Sequence, residues 1–85
     1  MAWFVYMLRC GDGSLYTGYT DDVARRLAVH QSGKGAKYTR SRLPVTLAYQ
    51  EELPDKSAAL RREAAIKKLT RGEKLRLIEE GNHEE

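Results

Sequence analysis

Five side chains in this 85-residue sequence have types and spacings that could act together on a phosphate ester: Tyr6, Tyr16, Arg26, His30 and Glu63. A guanidinium stabilises the charge that builds on phosphorus during displacement. A carboxylate can hold a divalent ion such as Mg²⁺ or Mn²⁺. A phenol or an imidazole near cations can relay a proton from water. The set therefore suits phosphodiester hydrolysis with a divalent metal. Taken singly, each residue has a plainer use. A tyrosine is most often a core residue with one hydrogen bond. His30 alone reads as a core histidine satisfied by a carbonyl, Arg26 as a surface partner of Asp22, and Glu63 as half of a structural ion pair. The case for chemistry rests on their convergence.

Convergence depends on the elements that carry them. Residues 2–9, AWFVYMLR, are aromatic and β-branched enough for a buried strand. GDGS at 11–14 is a hairpin turn, and LYTGY at 15–19 is a second, antiparallel strand. A turn centred near Asp12 makes Tyr6 and Tyr16 near cross-strand neighbours. Thr20 is positioned to cap a helix running to about Gln31, with Asp21 and Asp22 at its positive end. On that helix Val23, Ala24, Leu27 and His30 share one arc, Arg26 lies at its edge one turn before His30, and Arg25 points away.

A loop over 32–42 follows, and Pro44 leads into a third strand, VTLAYQEE. Pro54 ends it. Asp55 or Ser57 caps a second helix at 57–69, where Ala59, Leu60, Ile66 and Leu69 form an apolar arc containing Glu63. An inward carboxylate is costly unless paired, hydrogen-bonded or bound to a metal. Arg61, Arg62 and Lys68 project away from that arc. TRGE at 70–73 is a capping box for a third helix ending near Gly81. The order ββαβαα predicts an α+β fold: a small three-stranded, mainly antiparallel sheet flanked by helices. Residues 1–80 form one domain and 81–85 a disordered tail.

Net charge is +3, but its distribution is uneven. From Val23 to Gln50 there is no acid, against six cations. Four of these, Lys34, Lys37, Arg40 and Arg42, sit in the loop and suggest a surface for an anionic partner such as nucleic acid, the plainer alternative being a solvated basic loop. A single cysteine, Cys10, excludes an internal disulfide and suits a buried thiol in a reducing cytoplasm. The apolar start MAWFVYML is too short to span a bilayer and lacks a basic leader, so no membrane role is expected. With no large spare apolar face, the expected state is a monomer.

FVY at 4–6 followed ten residues later by YTG at 16–18 resembles the paired signature of the GIY-YIG nuclease superfamily. Arg26, His30 and Glu63 fall where that family carries its arginine, its histidine or tyrosine, and its metal-binding glutamate. The likeness covers residues 3 to about 78 and is greatest to the small stand-alone bacterial YhbQ-like branch, which resembles the nuclease domain of the excision-repair subunit UvrC. It implies a DNA endonuclease using one Mg²⁺ or Mn²⁺ per site, held by Glu63. It further implies that Tyr6 or Tyr16 activates or orients water, Arg26 contacts the scissile phosphate and His30 assists proton transfer or binds phosphate. Gly18 would let the backbone turn closely into the helix. Phe4-Val5-Tyr6 replaces Gly-Ile-Tyr but keeps the tyrosine, and Tyr19 stands where several of these nucleases place a lysine. Without a second domain, specificity would be low or supplied by a protein partner in repair or recombination. The alternative reading is a binding module that keeps the scaffold and the basic loop without cleaving.

Overall fold

The computed structural model describes residues 2–81. Strand β1 (Trp3–Arg9) turns back into β2 (Leu15–Thr20) through Cys10–Ser14. Gly13 supplies the positive φ of 86° that the turn requires, and Asp12 Oδ1 accepts from the Ser14 amide at 3.0 Å. After α1 (Val23–Gln31) and one turn of helix, α2 (Lys37–Arg40), strand β3 (Thr46–Leu53) pairs with the other side of β1. Helices α3 (Lys56–Lys67) and α4 (Arg71–Gly81) complete the fold. The sheet is antiparallel throughout, in the order β2-β1-β3. The expected order ββαβαα is present, with α2 as an addition inside the loop read at 32–42.

Being central, β1 is buried on both faces, which explains its unbroken apolar run. Val5 and Met7 pack with Ala59, Ile66 and Ile78 on the α3 and α4 side. Tyr6 and Leu8 pack with Cys10 and Val45 on the other side, against the partly buried Leu27 and Tyr16.

Several local expectations shift. Asp22, not Thr20, caps α1: its Oδ1 accepts from the Arg25 amide at 3.0 Å, while Thr20 Oγ1 accepts from the Asp22 amide at 3.1 Å. The helix starts three residues beyond Thr20, so the threonine steadies the cap. Arg25, rather than Arg26, pairs with Asp21 and Asp22. Ala24 and Leu60 are exposed, because each lies about 100° round its helix from a neighbour that meets the sheet. Arg62 does not project away: its Nε donates to Glu51 of β3 at 3.0 Å. Asp55 caps α3, and Thr70 and Glu73 exchange the reciprocal bonds of a capping box. Gly81, assigned to the tail, is the last residue of α4; the rest of that tail, 82–85, lies outside the described residues. Cys10 is buried and unbonded to sulfur. Among the described residues no helix is long and apolar enough to cross a membrane.

Candidate active site

Strand β2 has β1 on one side and no strand on the other. A pocket of about 340 Å³ opens at this free edge. The sheet contributes Trp3, Tyr6, Tyr16 and Tyr19; Asp21 and Arg26 come from the junction and first turn of α1; Lys56 and Glu63 come from α3. Groups from both faces of the sheet thus meet round one edge, which explains how helices on opposite faces serve one site.

Gly18 makes this possible in a way unlike the one expected. It pairs with Tyr6 across the ladder, and a Cβ there would lie 2.6 Å from Tyr6 Oη. The glycine gives the Tyr6 hydroxyl room to reach the edge. Its φ is not positive, so a tight turn of the backbone is not what it provides.

Tyr6 is 2% exposed and His30 fully buried. Tyr6 Oη lies 2.9 Å from His30 Nε2, and His30 Nδ1 lies 2.9 Å from Thr39 Oγ1. The Thr39 hydroxyl donates in turn to the Ala36 carbonyl at 3.0 Å. The Tyr16 ring sits 5.3 Å from the imidazole and 6.5 Å from the Tyr6 ring, and Gly35 packs so closely on the imidazole that a side chain would not fit. Tyr6 and Tyr16 are diagonal neighbours, since Tyr16 pairs with Leu8.

Burial pushes the Tyr6 phenol up to about 12, with Tyr16 and Glu63 adding to the rise and Arg26 opposing it through hydrogen bonding and charge. Burial, and secondly the Arg26 charge, pull His30 below the ordinary 6.5. At neutral pH the pair is therefore phenol and neutral imidazole. The proton of the pair therefore rests on Tyr6.

Glu63 has a side chain only 15% exposed and pairs with Lys67 Nζ at 3.2 Å. The inward carboxylate expected from the helix arc is thus present. Among the described residues no cluster of three or more His, Cys, Asp or Glu could form a protein cage for a metal. Glu63, with Asp21 on the same pocket, instead fits a hard cation that takes one or two carboxylates and completes its shell with water and substrate phosphate.

The basic loop stands apart from this pocket. Lys34, Lys37 and Arg40 are exposed and, among the described residues, make no ion pair. Arg42 is held internally: Nε donates to Asp12 at 3.1 Å, Nη1 donates to the Tyr38 carbonyl at 2.9 Å, and the guanidinium stacks 3.9 Å from the Tyr38 ring centroid. Reading the residues alone missed Trp3, Asp21, Gly35, Thr39 and Lys56. Hairpin register could have found Trp3, a diagonal neighbour of Tyr19 whose ring is 6.1 Å away. Nothing local in the sequence marks Lys56 or Thr39.

Comparison with known proteins bears on the same residues. The family profile of the GIY-YIG catalytic domain matches residues 2–76. A UPF0213 protein of Streptococcus sanguinis is 66% identical over 77 residues, 91% of this chain and 88% of that one. The UPF0213 protein SERP0126 of Staphylococcus epidermidis is 58% identical over 78 residues, 92% and 95% of the two chains. The solution NMR structure of the UPF0213 protein BH0048 from Bacillus halodurans superposes with a TM-score of 0.62 at 49% identity, covering 98% of this chain and 89% of that one. That of EF2693 from E. faecalis gives 0.60 at 44%, covering 91% and 83%. Matched span and fold agree, and the chain belongs to the GIY-YIG family.

Proposed function

We propose that the protein is a DNA endonuclease that hydrolyses phosphodiester bonds with one divalent ion, Mg²⁺ or Mn²⁺, acting on particular DNA structures in repair or recombination. One observation carries the reading: a phenol backed by a neutral imidazole shares a pocket with an arginine and an inward carboxylate. Glu63 would hold the ion. When bound, such an ion neutralises phosphate charge and lowers the pKa of an attacking water.

The chain's own residues do the rest. Arg26 orients the scissile phosphate and offsets the charge developing on it. Tyr6 Oη takes the proton of the attacking water as its own passes to His30 Nε2. The phosphorus–oxygen bond to the leaving strand breaks, and that oxygen takes a proton from solvent. Tyr16, in contact with both Tyr6 and His30, limits where the phenol can point. Lys34, Lys37 and Arg40 supply salt-sensitive phosphate contacts outside the pocket, with Arg42 holding their loop to the hairpin turn. Such contacts carry little sequence information, so a protein partner would provide specificity.

The test is cleavage of labelled single-stranded, duplex, flap, nicked and four-way-junction DNA with Mg²⁺ or Mn²⁺, with and without chelator. Wild type cuts at least one of them in a metal-dependent way. Arg26→Ala and Glu63→Gln each lose on the order of 10²-fold or more in rate, and Glu63→Gln still binds DNA. Cleavage by Glu63→Gln at the wild-type rate removes the carboxylate from the reaction. Binding without cleavage by any protein makes the chain a binding module.

A further inference from the structure

The one-turn helix α2 shows two different sides. Lys37 and Arg40 are exposed, whereas Thr39 between them is completely buried and faces His30. A loop that carries basic charge outward has no evident need for a buried hydroxyl. Its contacts give it a purpose. A threonine hydroxyl has one proton. Thr39 Oγ1 donates that proton to the Ala36 carbonyl at 3.0 Å, so toward His30 Nδ1, 2.9 Å away, it can act only as an acceptor. The hydrogen on the imidazole must then be on Nδ1, leaving a lone pair on Nε2.

The other end of the ring follows from this. Tyr6 Oη lies 2.9 Å from Nε2, and a phenol can donate as well as accept. With the hydrogen held on Nδ1 by Thr39, Nε2 is left as the acceptor for the phenol proton. The opposite tautomer would make Tyr6 Oη the acceptor and place the Thr39 proton on Nδ1, undoing its bond to Ala36.

We propose that Thr39 is a positioning residue: it fixes His30 as the Nδ1–H tautomer, so that the Nε2 lone pair receives the Tyr6 proton and Tyr6 Oη is directed to accept the proton of the attacking water. This deepens the nuclease reading and rests on it for its catalytic consequence, but the tautomer itself does not depend on any activity. Gly35 belongs to the same device. Its missing side chain lets the loop close on the imidazole and bring Thr39 within reach. The segment that presents charge to the substrate thereby also sets the direction of the proton relay.

The experiment is a long-range ¹H–¹⁵N correlation spectrum of the His30 imidazole in ¹⁵N-labelled protein above pH 7, for wild type, Thr39→Ser and Thr39→Val, with cleavage kinetics alongside. Wild type and Thr39→Ser give the pattern of hydrogen on Nδ1. Thr39→Val, which keeps the shape and loses the acceptor, moves the hydrogen to Nε2 or to a mixture. Its kcat falls on the order of 10- to 100-fold with KM little changed, and Thr39→Ser restores most of the rate. Hydrogen on Nε2 in the wild type overturns the proposal, as does an unchanged Nδ1–H pattern in Thr39→Val. Should the valine variant fail to fold, the wild-type spectrum and the serine rescue still decide. A wild type that cleaves nothing yet shows Nδ1–H bonded to Thr39 defeats the nuclease reading and leaves the tautomer assignment standing.

Discussion

Each face of the sheet carries a tyrosine in a chain of side-chain hydrogen bonds, and the two chains are built for different ends. On the α1 side Tyr6 meets His30 and then Thr39. On the α3 side Tyr49 donates to Glu51 at 2.7 Å, and Arg62 donates to the same carboxylate oxygen at 3.0 Å. Both phenols are held above their ordinary value, mainly by burial. Perturbed acidity alone therefore does not separate a reactive tyrosine from a structural one. The surroundings do. Tyr6 opens onto a pocket and gives its proton to a neutral imidazole that can accept it. Tyr49 also borders a pocket, of about 230 Å³, but it gives its proton to a carboxylate already neutralised by an arginine, and its ring packs against Gly81 at the end of α4. The first chain can pass a proton from the pocket inward. The second fastens β3 to α3.

The contrast breaks most sharply under paired deletion of the two hydroxyls. Tyr6→Phe should cost roughly 10²- to 10⁴-fold in cleavage rate, the range of a lost proton-transfer group. Tyr49→Phe should leave the rate within about twofold. Their effects on stability should be comparable, each removing one hydrogen bond worth about 1 kcal/mol and lowering Tm by roughly 4–8 °C. Rates measured well below both melting temperatures, next to calorimetry, separate the two. Equal loss of activity in both variants would mean that Tyr49 also shapes the site. Full activity in Tyr6→Phe would move the proton role to Tyr16.

The sequence carried the first chain much further than the second. Helical spacing put His30 and Glu63 on the inner arcs of their helices, and hairpin spacing put Tyr6 near Tyr16. Local periodicity reports which way a residue faces, and that was enough. It does not report how a loop folds back. Residues 32–42 have no regular period, so the turn of helix that buries Thr39 was invisible, although its basic flanks were plain. Arg62 was misread for a related reason. It lies off the apolar arc of α3, but a long side chain can reach sideways to a carboxylate on the neighbouring strand. The edge pocket was hidden too, because strand order is a long-range property: nothing near Trp3 or Lys56 says that β2 lies at the rim.

Acid sharpens the comparison next. Burial and Arg26 hold His30 below 6.5, while the unfolded chain takes up its proton near 6.5. Below that pH the unfolded state binds more protons than the folded one. The His30 contribution to stability is therefore complete above pH 6.5 and is lost as pH falls through the folded-state value. Tyr6, Tyr16, Thr39 and Arg26 surround the ring without a carboxylate partner to stabilise its charged form. Wild type should lose Tm between pH 6.5 and 5 faster than His30→Gln, and cleavage should decline on its acid side over the same range. Tyr49→Phe leaves His30 and its surroundings in place, so it should follow the wild-type slope. Parallel melting curves for wild type and His30→Gln would mean that folding does not disfavour the charged imidazole.

The smallest effect belongs to the second chain's outer end. Glu51 and Arg62 are about one-third exposed, at 31% and 36%. An ion pair so open to water is worth about 0.5–1 kcal/mol, and salt screens it. In Arg62→Gln the carboxylate keeps its bond from Tyr49 and remains in contact with solvent, so no buried charge is stranded. Calorimetry should show Tm falling by a few degrees at low ionic strength, with the gap to wild type narrowing as salt is raised, and cleavage should be unchanged. A loss above about 3 kcal/mol would belong to a buried charge left without its partner, and the chain on this face would then be a sealed network rather than a surface clasp. A salt-dependent loss of a few degrees leaves the asymmetry between the faces intact: one chain is exposed at its charged end and tolerant there, while the other is buried along its length and should tolerate no change in the order of its donors.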